Sequence, residues 1–223
     1  MSNLVLALRL SGPMQSWAES SRFNRRGTEM FPTRSAIAGI CCAAKGIPRG
    51  EEKEFLERFS TLRLETYFVP RRNLLHGEKH TFLAMGRFQD FHTVLGTVTA
   101  EGKTNPNAVV TIRQYLSDAS FMAFLEGNAE IIKDLGKSLI NPVWGIWLGR
   151  KTCIPSEPVF AGIYGDRKEA LRVTTQDLWE MKEIEVEEFS ESNKRQEDIP
   201  LSFLSGARVF ETRYVQIVPK QKA

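Results

Sequence analysis

FPTRSAIAGICCAAKGIPRG, residues 31–50, is the stretch on which the start of the fold turns. Pro32 restricts φ, and Thr33 or Ser35 stands where a hydroxyl caps free backbone N–H groups. Ile37, Ile40 and Cys41 recur at helical spacing, which predicts a helix over 34–45. Ala36, Ala38, Gly39, Ala43 and Ala44 are small enough for that helix to approach a neighbour closely. Gly46 ends it, with Pro48 just beyond. The unsatisfied N–H groups and positive dipole end of such an entry suit a phosphate, and Arg34 sits beside them. The bland counterpart is an ordinary capped helix with a solvated arginine.

Working outward, 223 residues fit one large domain, or one domain with a small second one. A hydrophobic content of 42% with 26% charged residues is that of a packed soluble chain. No apolar run reaches the ~18 residues of a membrane helix. The start, MSNLVLALRLSG, has no basic region before its apolar stretch and no small-residue cleavage site, so 4–10 reads as a strand. Three cysteines, two of them adjacent (Cys41, Cys42), make neither a disulfide framework nor a CxxC zinc site. These features point to the cytoplasm, to no membrane contact and to no metal or other cofactor. The net charge is only +3, but residues 1–50 carry seven Arg or Lys against Glu19 and Glu29, while 177–198 carry nine acids. A basic front with an acidic back fits a one-faced polyanion binder; two oppositely charged solvated surfaces are the plain alternative.

Along the chain, the strand 4–10 is followed by a turn-rich exit (11–17), a polar loop (18–32) and the helix 34–45. A second helical segment covers 51–62, with Phe55, Leu56 and Phe59 on one face. LRLETYFV (62–69) alternates as a strand. Residues 70–110 are rich in Arg, Lys, His, Gly and Asn and form a long excursion of the kind that is usually functional or disordered. Residues 109–127 are strand-like, and 128–140 form a helix with Ile131, Ile132, Leu135 and Leu139 inward. A Gly- and Pro-punctuated loop with a short strand covers 144–165. The tail, 180–219, has strand patterns around an acidic linker. The order β-α-(α)-β-excursion-β-α is close to a split βαβ ferredoxin-like domain.

Three stretches carry residues suited to chemistry. LGRKTC (148–153) joins Gly149, which lets a backbone come close to a ligand, to two phosphate-binding cations, Arg150 and Lys151. RFQDFHTVLG (87–96) interleaves Arg87 and His92 with Phe88 and Phe91. Cations hold a nucleic-acid backbone while rings stack on unpaired bases, so the mixture suits single-stranded RNA; a hairpin burying both rings is compatible with it. His76, His80 and His92 all lie in the excursion, with Lys79 beside His80. That grouping matches the general base, general acid and cation of a metal-independent ribonuclease. No HExxH, GxxxxGK[ST] or GxSxG motif supports an ordinary hydrolase or nucleoside triphosphatase.

LALRLSGPMQSW, FPTRSAIAGICCAAKGI, DFHTVLG, TIRQYLSDASF and WLGRKTCIPSEPVFAG occur in this order over residues 3–165. Together they resemble the CasD family, the subunits that cap the crRNA 5′ handle in type I-E CRISPR Cascade complexes. The stretch from 166 onward contributes little to the likeness. The resemblance implies an α+β fold. A ferredoxin-like, RRM-type domain (1–147) would carry a protruding β-hairpin thumb (70–110), and 148–223 would hold the Gly/Pro-rich loop and a small β-rich C-terminal region. It implies a non-catalytic, RNA-binding complex subunit in antiviral defence. Its expected partners are the crRNA 5′ handle, the CasC backbone subunit, the CasA large subunit and, in the assembled complex, target DNA. In a sibling subtype the related subunit is itself the endoribonuclease that processes precursor crRNA, which keeps that activity as the alternative. With the family in view, Thr33, Arg34 and Ser35 form a phosphate-facing helix entry beside the Gly12 turn. Gly149, Arg150 and Lys151 close the same groove. Gln15, Trp17, Arg25, Arg26, Arg87, His92, Thr93, Arg113 and Tyr115 complete the expected RNA-binding set.

Overall fold

LVLALRL is apolar at nearly every position rather than every second one, which is the mark of a strand covered on both faces. The computed structural model describes residues 3–17, 24–69, 71–73, 81–83, 85–99, 101–175, 187–204 and 208–219. His76 and His80 lie outside them. The first elements are β1 (Asn3–Ser11), β2 (Met14–Gln15), β3 (Arg25–Arg26), α1 (Arg34–Lys45), α2 (Lys53–Ser60) and β4 (Arg63–Phe68). Next come β5 (Arg71–Asn73), β6 (Thr81–Leu83), β7 (Gly86–Val94), β8 (Val109–Ser117), β9 (Ser120–Asn128) and α3 (Ala129–Ile140). The chain continues through β10 (Phe160–Tyr164), α4 (Arg167–Thr174), β11 (Glu187–Ser202) and β12 (Val209–Pro219).

The fold is mixed α+β. Its centre is an antiparallel sheet of six strands in the order β10-β1-β9-β4-β11-β12. On β1, Leu6, Leu8 and Leu10 point to one face, where they join Ile37 and Cys41 of α1, Phe59 of α2 and Ile132 and Leu135 of α3 in one core. Val5 and Ala7 point to the other, against Tyr67, Met122, Phe124 and Ala170 of α4. The period of two along the strand therefore feeds two apolar layers at once. The expected division at residue 147 runs across this sheet, because β10 pairs with β1 and β11 pairs with β4.

α1 occupies the range its spacing predicts. The Thr33 hydroxyl accepts from Ala36 N at 3.3 Å, and Gly46 closes the helix in the left-handed region at φ 69°. The small-residue face behaves differently from the expectation. Ala38 and Ala44 are buried in the core, but a Cβ added at Gly39 would meet nothing within 4 Å, so this part of the face opens to solvent. The strand-like stretch 109–127 is two strands, β8 and β9, turning at Asp118 (φ 51°). α4 was not legible from apolar spacing. Its signature is a cap: Asp166 Oδ1 accepts from Glu169 N at 2.9 Å, and Glu169 reaches back to Gly165 N at 3.1 Å.

The excursion is built around a hairpin, β7 paired with β8 from Gly86↔Ser117 to Val94↔Val109. It extends away from the main core, and Phe91 is 68% exposed. The acidic linker expected within 180–219 is instead part of the long strand β11, which is bulged against β12. Asp198 is 1% exposed and takes both Arg213 donors, Nε at 2.6 Å and Nη2 at 2.8 Å.

Candidate nucleic-acid interface

Asp198 also overturns the expected phosphate site at the entry of α1. The backbone N–H of Arg34 donates to Asp198 Oδ2 at 2.7 Å, so the positive end of the helix already holds a carboxylate supplied by β11. Arg34 is correspondingly internal, only 4% exposed. Its Nη2 donates to the carbonyls of Phe59 (3.0 Å), Ser60 (3.1 Å) and Leu62 (2.7 Å), and its guanidinium lies over the Phe59 ring at 5.2 Å. A helix leaves its last carbonyls unpaired, and a cation there satisfies them. Arg34 thus bolts the start of α1 to the end of α2 and does not face a ligand. Thr33 is buried as the cap, with its hydroxyl 3.2 Å from that of Ser35.

Four further members of the expected RNA-binding set are structural for similar reasons. Gly12 is buried, and a Cβ there would stand 2.8 Å from the Ile154 carbonyl. Gln15 is enclosed, donating to the Leu10 and Ala119 carbonyls at 2.9 and 2.7 Å while accepting from the Trp17 indole at 3.1 Å. Trp17 itself is fully buried. Tyr115, 2% exposed, stacks on Phe88 with centroids 5.4 Å apart and carries the Arg150 guanidinium over its ring at 4.6 Å.

The remaining members fall into two places. Arg25, Arg87, His92, Thr93 and Arg113 lie on the sheet formed by β2, β3, β7 and β8. There Arg87 donates to the Thr28 carbonyl at 3.0 Å and to the Gln114 side chain. Arg113 Nε donates to Thr111 Oγ1 at 3.1 Å, and His92 Nε2 lies 2.6 Å from Asp90 Oδ2. Arg25 and Thr93 are exposed.

Arg26, Ser35, Gly149, Arg150 and Lys151 line one open groove of about 1080 Å³. Its floor is the open face of α1 (Ala36, Gly39, Ala43), and Trp144, Trp147, Phe203 and Phe210 add aromatic surface. Arg26, Arg49, Arg150, Lys151 and Arg208 put five cations on this lining, and among the described residues it contains no Asp or Glu. Gly149 is required where it stands. At φ 97°, a Cβ would lie 1.7 Å from the Ser16 carbonyl, whose residue is tied to the same turn by Ser16 N donating to Leu148 O at 3.0 Å. Arg150 holds the turn to β3, donating to the carbonyls of Gln114 (2.8 Å), Arg26 (3.0 Å) and Gly27 (3.3 Å). Lys151 is the exposed cation of the pair.

Sequence reasoning singled out neither Trp144 and Trp147 nor Arg208 as site residues, and it counted Arg49 only among the basic residues of the front. The pair in WGIW was the available signal: two large rings three residues apart in a Gly- and Pro-rich loop rather than in a periodic element.

Residues 5–216 match a family described as CRISPR-associated protein, Cas5. A curated relative, the CRISPR system Cascade subunit CasD of Escherichia coli (strain K12), is 34% identical over 161 residues, which is 70% of each chain. A solved chain of a CRISPR RNA-guided surveillance complex superposes with a TM-score of 0.72 at 28% identity, over 96% of this chain and 89% of that one. A solved Cas protein shares the fold at TM-score 0.63 and 23% identity, over 98% and 95% of the two chains. With a match running almost from end to end and a relative of this identity, the chain belongs to the Cas5 family of CRISPR-associated proteins.

Proposed function

We propose that the chain is a non-catalytic subunit of a type I-E CRISPR Cascade complex that holds the 5′ handle of the crRNA and joins the CasC backbone subunit to the CasA large subunit. Target DNA is a partner only within the assembled complex, and the working place is the cytoplasm. The observation that carries this reading is the groove beside α1, with five cations and no described acid on its lining. A surface of one charge sign attracts a polyanion, and cations spread along a groove follow a phosphate backbone.

The ferredoxin-like, RRM-type description of the core draws support from the strand order. β1, β4, β9 and β10 stand in the order β10-β1-β9-β4, with helices between the first and second strands and between the third and fourth. α4 and its apolar neighbours cover the sheet face where an RRM stacks its bases, which favours the groove as the RNA site. The thumb reading of the hairpin is supported by its exposed apolar residues Phe91, Leu95 and Val98, which suit a neighbouring subunit.

The test is incubation of the pure protein with repeat-derived RNA in EDTA, followed by binding measurements over a salt series. Retention of intact RNA with affinity falling steeply in salt is expected. Lys151→Ala and Arg208→Ala should each reduce the slope of log K against log salt by about one. Specific cleavage in EDTA would replace this reading by the endoribonuclease one.

A further inference from the structure

We propose that Trp144 and Trp147 form a base-stacking wall of the groove, so that it takes single-stranded RNA by unpaired bases as well as by phosphates. The inference rests on the RNA-binding reading above and assigns it a recognition mode.

Trp144 is 46% and Trp147 38% exposed, whereas Trp17 is fully buried. Large rings left open to water on the wall of a cationic groove have no packing role that accounts for their exposure. They are nevertheless firmly mounted. Val143 N and Trp144 N donate to the carbonyls of Ala44 and Ala43 at 2.9 and 3.1 Å, so the segment docks on the last turn of α1. Val143 packs over Gly46, where an added Cβ would meet its side chain at 2.6 Å. Trp147 lies against the backbone of Gly145, with its ring 3.0 Å from where a Cβ would stand. A ring held by backbone loses little freedom when a base stacks on it.

The floor beside them leaves room for a planar group, since nothing lies within 4 Å of a Cβ built at Gly39. Phe210, 36% exposed, and Arg208 also line the groove. Aromatic faces combined with cations match a single strand, whose bases present their faces while its phosphates follow the positive charge. A duplex hides those faces in its own stack. An apolar protein segment has no use for five cations.

The test uses the full chain with a short labelled oligoadenylate RNA and an abasic strand of the same backbone length, titrated at several KCl concentrations. Trp144→Leu and Trp147→Leu keep apolar bulk and remove the aromatic face. Each should weaken oligoadenylate binding about five- to twentyfold, with the salt slope and the melting temperature unchanged. Trp144→Phe and Trp147→Phe should retain most of the affinity, and abasic RNA should bind the wild type and the Leu variants alike. Leu variants that bind as the wild type does overturn the inference. So does abasic RNA binding the wild type as tightly as oligoadenylate, or a Leu variant losing abasic binding and melting temperature together. If Lys151→Ala leaves affinity and slope untouched, or neither RNA binds at all, the RNA-binding reading itself fails.

Discussion

Arg34→Ala is the most telling substitution, because a groove-facing arginine and a buried one predict opposite outcomes. Its guanidinium donates to three carbonyls at the end of α2 and lies over the Phe59 ring. A hydrogen bond from a charged group contributes about 1.5–3 kcal/mol net, and a desolvated cation–π contact roughly 2 kcal/mol. The three carbonyls share one nitrogen, so the terms do not add, and a total loss of about 3–5 kcal/mol is reasonable. Against a whole-domain stability of roughly 5–15 kcal/mol, that is a large fraction. In a chain of this size each kcal/mol moves the melting temperature by about 2–4 °C, so a fall of about 6–20 °C is expected. Thermal melts by circular dichroism and urea titrations measure it. Arg34→Lys should fall between the two, since the shorter lysine does not carry its ammonium as far and has no planar guanidinium to lie over the Phe59 ring. A variant that melts within about 2 °C of the wild type yet loses RNA affinity would refute the bolt and restore Arg34 to the ligand surface.

Gly149→Ala should be severely destabilising, by about 3 kcal/mol or more, because φ is positive and the Ser16 carbonyl blocks a Cβ; low soluble yield and an early urea midpoint would show it. Glu52 governs part of the acid limb. Burial opposes its ionisation, but N–H groups of Phe203, Glu52 itself and Gly50, with the Ser202 hydroxyl, outweigh it and hold the carboxyl below its ordinary 4.5. A folded-state value below the unfolded one stabilises above the ordinary pKa and is lost as pH falls through the lowered value. Glu52→Gln should therefore flatten the loss of stability on acidification in urea titrations run across that range. Burial raises the Cys41 thiol far above its usual value and pushes Cys42 up to about 12, with Glu52 adding and Lys45 opposing. At about pH 8, thiol reagents should label Cys41, which is fully buried, only as fast as the protein opens; immediate labelling of Cys41 in the folded protein would contradict its burial.

The bounds of α1, its Thr33 cap and its Gly46 stop were legible because capping and left-handed closure are local chemistry. The double-sided burial of β1 was legible from a run that is apolar at every position from Leu4 to Leu8. α4 was missed because its eight residues bury only Ala170, too little for a periodic signal. The likeness of five short stretches to one family was also sequence information, and the family match over residues 5–216 agrees with it. What the chain alone could not settle was which polar groups meet each other.

The N-terminus of α1 does bind an anion, as its dipole requires, but the anion is Asp198, which is 164 residues away and arrives only when β11 joins the sheet. Arg34 read as a phosphate-facing cation because nothing in its neighbourhood names the carbonyls of Phe59, Ser60 and Leu62 as its partners. Conversely, Arg49, Trp144, Lys151 and Arg208 belong to one groove because the turn at Gly149 docks on Ser16, the segment at Val143 docks on α1 and β12 joins the sheet through β11. Local backbone preference is written in neighbouring residues, and so the sequence determined where elements start and stop. The pairing of charges is a property of distances across the folded chain, and only the tertiary structure decided which cations are bolts and which remain to face a ligand.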